Sequence, residues 1–175
     1  ETYVQGADIV SFDVYPVAGL DRPNPVDFLW YVGGGVERLV KWTGGKKIVW
    51  NCLECTRIDN GVRKPTPAQV RAEAWMAIIH GSRGFIYFVH EFKPKFNEHA
   101  LLDDPEMLKA VTELNREVTR LAPVIQGEAV PVGIAIKEPR DDQQPRPVAA
   151  VGRRSGRDTY VFAVAMRNAP CRAAF

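Results

Sequence analysis

Residues 47–55 read Lys47-Ile48-Val49-Trp50-Asn51-Cys52-Leu53-Glu54-Cys55, an apolar run that ends on a carboxylate where a loop begins. Buried strands rarely end on a charge without a reason. The carboxyl ends of parallel strands are also the place where open α/β sheets and (β/α) barrels gather their ligands and catalytic groups. The run therefore predicts a buried strand and makes Glu54 a candidate catalytic residue.

Two further runs of this kind flank the first, at residues 8–15 and 84–89. Each of the three runs is followed by apolar residues with helical spacing, over residues 26–42, 67–80 and 105–121. The strands start at about residues 8, 48 and 84, which is the period of a (β/α) barrel or of a doubly wound sheet. The spacing predicts an α/β fold with three βα units and leaves both architectures open.

Local signals predict where the second and third helices begin and end. Thr66 and Gln69 form a capping box at the start of the second helix, and Gly81 marks its end. Either Asp103 or Asp104 caps the third helix.

The pattern changes beyond residue 123. Short strand patterns at 132–136, 148–151 and 159–166 follow one another without a helical pattern between them, and residues 137–146 read as a solvated loop or linker. We therefore expect two domains, an α/β domain over residues 1–126 and an incomplete all-β domain over residues 127–175.

Composition excludes several classes of partner. Lys and Arg number 23 against 21 Asp and Glu, and this net charge of +2 does not favour nucleic acid or an anionic membrane. No apolar run approaches the roughly 20 residues that cross a bilayer. Three cysteines are too few for a disulfide framework. Because the chain starts at Glu1 without Met, we expect it to be part of a longer protein, in which a signal peptide could precede it.

The chemistry-bearing residues cluster near the predicted strand ends. Alternate residues of a strand share a face, and the carboxyl ends of parallel strands meet at one rim. Six side chains are candidates for that rim: Asp13, Tyr15, Trp50, Glu54, His90 and Glu91. Carboxylates beside Tyr, His and Trp are typical of carbohydrate hydrolysis. The alternative for each is a structural role, such as a salt-bridged Glu54, an Asp13 that caps loop amides or a His90-Glu91 pair that only fills a loop.

Two motifs do not predict a cofactor. Cys52-Leu53-Glu54-Cys55 has the C-x-x-C spacing, but it lacks a second cysteine pair or a nearby histidine, so we expect no metal. Gly33-Gly34-Gly35 weakens the first helix in its middle and does not match a phosphate-binding loop. We expect no cofactor.

Residues 8–16, 50–54 and 65–88 resemble the last three βα units of a clan A glycoside hydrolase barrel, and the resemblance covers about residues 1–126. It implies the C-terminal part of a TIM (β/α)8 barrel, and the trailing strands are similar to the accessory β-sandwich that often follows such barrels. It also implies a carbohydrate substrate and favours a secreted or periplasmic protein. Localisation and oligomeric state are not decided by the chain.

The resemblance implies a role for each candidate residue. Glu54 takes the place of the nucleophile of a retaining glycosidase, and Tyr15 that of the residue that hydrogen-bonds it. Substrate contacts would fall to Asp13, Trp50, His90 and Glu91, although clan A enzymes often have Trp where this chain has His90. Tyr15 or a nearby arginine, Arg57, would keep the pKa of Glu54 low.

The catalytic site implied by the resemblance is divided between this chain and residues before it. The acid/base Glu belongs to a strand upstream of Glu1, so we expect this fragment to be inactive alone. Two alternatives remain: a non-catalytic carbohydrate-binding or scaffold barrel, and a doubly wound domain without sugar chemistry.

Overall fold

Strands and helices alternate through the first part of the chain in the computed structural model, which describes residues 2–19, 24–58, 62–136 and 144–175. The elements are β1 (Ile9–Asp13), α1 (Trp30–Trp42), β2 (Ile48–Glu54), α2 (Pro67–His80), β3 (Gly84–Phe88) and α3 (Pro105–Ile125). Short 3-10 helices lie at Tyr3–Gly6 and Pro25–Phe28. The three strands are parallel in the order β1-β2-β3. The predicted mixed α/β fold is confirmed at this level, and membership of a barrel stays a prediction.

The last part of the chain contains strands and no helix among its described residues. These are β4 (Glu128–Val130), β5 (Ala135–Ile136), β6 (Val148–Ser155), β7 (Asp158–Ala165) and β8 (Ala173–Ala174). One antiparallel sheet has the order β4-β6-β7, and β5 pairs with β8. Part of the predicted loop, residues 137–143, lies outside the described residues. The division into two domains stays a prediction.

The antiparallel sheet packs against helix α2. Trp75 of α2 stacks on Phe162 of β7, with ring centroids 5.4 Å apart and planes 16° apart. Met166, just after β7, joins a buried cluster with Met76 of α2. The strand-rich part therefore shares apolar core with the α/β part.

The two faces of the parallel sheet differ in burial. Val49 and Leu53 of β2 are fully buried against the helices. On the opposite face, Ile48 and Ile86 are exposed. Because alternate residues of a strand point to opposite faces, one face of the sheet is covered by helices and the other is open in this chain.

The predicted helix signals are confirmed. Thr66 Oγ1 accepts from the Gln69 backbone N–H at 3.3 Å, and the Thr66 N–H donates to Gln69 Oε1 at 2.7 Å. Gly81 ends α2 with a φ of 108°, a left-handed conformation that favours glycine. Asp104 caps α3 by accepting from the Met107 N–H at 3.1 Å, which decides between the two predicted caps.

Candidate site at the carboxyl edge

A polar cluster forms where β1 and β2 end. Asp13, the last residue of β1, lies opposite Cys52 in the strand register. Tyr15 follows two residues later, and its hydroxyl lies near both side chains. Burial, followed by the electrostatic effects of Cys52 and Asp13, raises the pKa of Tyr15. The phenol is therefore neutral and is available as a hydrogen-bond donor.

The thiol in this cluster is not activated. Burial, followed by the charge of Asp13, raises the pKa of Cys52, while the hydrogen bond with Tyr15 partly offsets this rise. Because the thiolate is the reactive form of cysteine, Cys52 does not have the properties of a nucleophile. Its neutral thiol is a weak polar group beside Tyr15.

An aromatic cluster adjoins the polar cluster. The Tyr15 ring contacts Phe88, the last residue of β3, with centroids 5.1 Å apart. His90 is nearly parallel to Phe92 and Phe96, with interplanar angles of 19° and 13°. Phe92 and Phe96 are 48% and 57% exposed. The predicted candidate His90 therefore lies inside a row of rings that starts at Tyr15 and ends in solvent.

Glu91 holds the loop that carries these rings. Its backbone pairs with Asn97 through two hydrogen bonds of 2.9 and 2.8 Å. Its carboxylate bonds to Arg57 Nη1 at 3.1 Å, and the Arg57 carbonyl accepts from the Phe92 N–H at 3.2 Å. The guanidinium of Arg57 thus bonds to Glu91 rather than to Glu54, which corrects the expected role of Arg57. A substrate contact by Glu91 stays a prediction.

Glu54 is the last residue of β2, as the sequence predicted, and its side chain is 0% exposed. Its Oε1 accepts from the Val17 N–H at 2.7 Å, and its Oε2 accepts from the Ala18 N–H at 2.5 Å. The predicted hydrogen bond from Tyr15 to Glu54 is corrected. The turn after Tyr15 offers Glu54 its backbone amides, while the phenol lies near Asp13 and Cys52. The nucleophilic role of Glu54 stays a prediction.

Sequence reasoning missed Glu73 of α2, which faces Glu54. Glu73 is also 0% exposed, and neither of its oxygens accepts from a donor group of the described residues. Burial, followed by the charge of Glu54 and a hydrogen bond with it, raises the pKa of Glu73 well above its ordinary value. A protonated Glu73 that donates to Glu54 satisfies both observations. The sequence did contain a signal for a buried acid at this position. Glu73 lies three residues after Val70 and four before Ala77, which places it on the buried face of the helix.

The pKa of Glu54 is raised overall, because the effect of burial exceeds that of the hydrogen bonds from Val17, Glu73 and Ala18, which lower it; the expectation that its pKa stays low is wrong. Glu54 therefore has three donors for its ionised form, and Glu73 has none. The shared proton consequently belongs on Glu73.

Trp50 lies apart from the edge. It pairs with Ser11 and Gly84 in the strand register. It lies on the same face as Asp13 and Cys52, two residues before Cys52 and so further from the carboxyl edge. Its indole packs against Gly84 so closely that a Cβ there would lie 2.7 Å from Trp50 Nε1. The structure thus brings Asp13, Tyr15 and His90 into one edge and leaves Trp50 below it.

Among the described parts of the chain, no group of three or more His, Cys, Asp or Glu side chains could hold a metal ion. No helix in those parts is long and apolar enough to cross a membrane. No family model, curated protein or solved structure matches this chain, so the geometry of the carboxyl edge is the basis for assigning its function.

Proposed function

We propose that the carboxyl edge of the three parallel strands binds carbohydrate, and that the chain is part of a barrel-type glycoside hydrolase. The observation that supports this best is the continuity of polar and aromatic side chains through Tyr15. Its hydroxyl lies near Asp13 and Cys52, and its ring contacts Phe88. A sugar ring needs hydrogen-bond partners for its hydroxyls and flat apolar surfaces for its C–H faces, and this edge offers both.

Ring substitutions test the binding proposal. Phe96→Ala is expected to weaken oligosaccharide binding about five- to tenfold, because it removes an exposed ring that stacks on His90. Isothermal titration of the chain with a panel of neutral oligosaccharides would measure this. The matched control is Phe175→Ala, which removes a phenyl group of similar exposure, 60%, from the end of the chain. That control should bind like the parent.

Asp13→Asn tests the polar half of the edge. It keeps the shape of the side chain and replaces a charged acceptor with a weaker one, so we expect about tenfold weaker binding. The binding proposal is wrong if neither Asp13→Asn nor Phe96→Ala changes the affinity, or if no oligosaccharide binds.

Retaining hydrolysis with Glu54 as nucleophile is the reaction that we propose for this site. Its specific support is the position of Glu54 at the end of β2, with two amide donors that favour the ionised form a nucleophile needs. In this reaction Glu54 attacks the anomeric carbon and forms a glycosyl-enzyme while an acid protonates the leaving oxygen. Water then attacks the same carbon, gives a proton to the former acid, and frees the sugar and the Glu54 carboxylate. Because Glu54 is fully buried, the Val17–Ala18 turn must first release one carboxylate oxygen.

Hydrolysis is testable in a protein that includes the upstream acid/base strand. Glu54→Gln should lower kcat for an aryl glycoside by at least about a thousandfold, since it removes the nucleophile and keeps the side-chain shape. The control is Glu117→Gln on α3. It removes the carboxylate that pairs with Arg71 of α2 and should leave kcat unchanged. Near-normal hydrolysis by Glu54→Gln would favour the alternative, a carbohydrate-binding barrel without this catalytic residue.

A further inference from the structure

Two carboxyl groups share one buried site between strand β2 and helix α2. Glu54 and Glu73 are both 0% exposed, and each carboxyl group shifts the pKa of the other. Two ionised carboxylates cannot stay side by side in such a site without cations, because each would lose its hydration and repel the other. Among the described residues, no Lys, Arg or His shifts the pKa of either carboxyl group. The site therefore requires one proton between the two acids.

The charge that remains on Glu54 is used to hold a turn. Val17 and Ala18 direct consecutive backbone N–H groups at its two oxygens. Those residues belong to a tight turn in which the Gly19 N–H donates to the Tyr15 carbonyl at 2.9 Å. Tyr15 is thus the first residue of the turn that Glu54 holds, and its side chain forms the junction of the polar and aromatic clusters.

We propose that Glu73 is a positioning residue that shares a single proton with Glu54 and, through Glu54, fixes the turn at residues 15–19 and with it Tyr15 at the carboxyl edge. The inference deepens the proposed function, on which it rests for the use of that edge. Glu73 itself lies in the helix layer and touches no substrate. It keeps Glu54 ionised by donating to it without adding a second charge.

Other titratable groups near the pair act in different pH ranges. Cys55 follows Glu54, and burial, followed by the charges of Glu54, Asp104 and Glu73, raises the pKa of the Cys55 thiol to about 12. Asp104 at the start of α3 is the next group, and it pairs with Lys64. Burial opposes the ionisation of Asp104, but the Lys64 and backbone hydrogen bonds lower its pKa overall. The turn after β1 faces the pair with backbone amides. Cys55 therefore titrates in strongly basic and Asp104 in acidic solution, so Glu73 with Glu54 is the expected source of a titration between them.

The sign of the pH dependence follows from the raised pKa of Glu73. In the unfolded chain Glu73 ionises near its ordinary pKa of about 4.3, whereas the folded chain keeps its proton to higher pH. Above that ordinary value the folded state binds more protons than the unfolded state, so stability falls as pH rises. One extra proton makes the unfolding equilibrium constant rise up to about tenfold per pH unit. The rise stops above the folded pKa of the pair.

Urea unfolding of the chain at several pH values between 5 and 8 tests this inference, with Glu73→Gln as the variant. The Gln side chain can still donate an N–H to Glu54 and has no proton to lose. We expect the unfolding constant of the parent to rise with pH, and that of Glu73→Gln to change less than about twofold over the same range. Glu117→Gln is the matched control, because its hydrogen bond with Arg71 lowers the pKa of Glu117 and confines its effect to more acidic solution.

Nuclear magnetic resonance of the Val17 and Ala18 amides provides a second measurement. If Glu73 only filled space, its replacement would not change how these amides respond to pH. In the parent, both amide shifts should stay constant below the folded pKa of the pair and should change together where the loss of stability with pH levels off. In Glu73→Gln they should stay constant and stay protected from exchange, whereas Glu73→Leu, which has no donor, should exchange at least about tenfold faster.

Parallel stability profiles for the parent and Glu73→Gln would overturn the inference. If Glu73→Gln does not fold, the parent decides alone, and an unfolding constant that does not rise with pH between 5 and 8 would sink it. None of these measurements uses a sugar. Sugar-binding experiments alone can therefore refute the proposed carbohydrate function. The unfolding and amide measurements alone can refute the role of Glu73.

Discussion

Replacing Glu54 with alanine is expected to lower the free energy of unfolding by about 3 kcal/mol. The substitution removes the carboxylate that accepts from the buried N–H groups of Val17 and Ala18, and each hydrogen bond to a charged group contributes about 1.5–3 kcal/mol. Urea unfolding at pH 6 would measure the difference.

Glu54→Gln is the matched variant for this prediction. Its amide oxygen can still accept one of the two N–H groups, and its volume is nearly unchanged, so we expect a loss of about 1–1.5 kcal/mol. A loss below about 0.5 kcal/mol for Glu54→Ala would show that the two amide bonds do not stabilise the fold, and it would remove the structural basis for Glu54 as the anchor of the turn.

Two neighbouring glycines of helix α1 are expected to respond in opposite directions to alanine. A Cβ on Gly35 would lie 2.1 Å from the Phe12 ring, whereas a Cβ on Gly34 would meet only Trp30 at 3.6 Å. Overpacking of this kind costs about 1–3 kcal/mol, and Gly to Ala in a helix gains about 1 kcal/mol. We therefore expect Gly35→Ala to lose about 2 kcal/mol and Gly34→Ala to gain up to about 1 kcal/mol.

Thermal unfolding of both variants at one pH would test this pair, since a change of 1 kcal/mol moves the Tm of a chain of this size by about 2–4 °C. Equal shifts in the same direction would show that helix propensity alone governs the run. From the sequence alone, Gly33-Gly34-Gly35 is a weak point in the middle of the helix. The structure explains the first and last glycine of the run, because a Cβ on Gly33 would clash with His80 and a Cβ on Gly35 would clash with Phe12.

The sequence predicted where several candidate site residues lie, but it predicted only some of their contacts. Parallel strand ends placed Asp13, Tyr15 and His90 at one edge, and the structure brings those three together. The pairing of Glu54 with Glu73 was not predictable from strand alternation, since it joins the end of a strand to the buried face of the following helix. The exposed rings of Phe92 and Phe96 were also missed, because a loop has no periodic signal from which side-chain positions can be read.

The sequence by itself determined the order of elements and several of their ends. The Thr66–Gln69 box, Gly81 and the Asp104 cap are confirmed because each acts through hydrogen bonds or backbone conformation within about four residues. Tertiary structure alone decided the partners of Glu54, whose hydrogen bonds to Val17 and Ala18 span 37 and 36 residues. Such contacts depend on how strands and helices pack in space, so the same carboxylate that ends an apolar run came to lie in a buried pair rather than beside Tyr15.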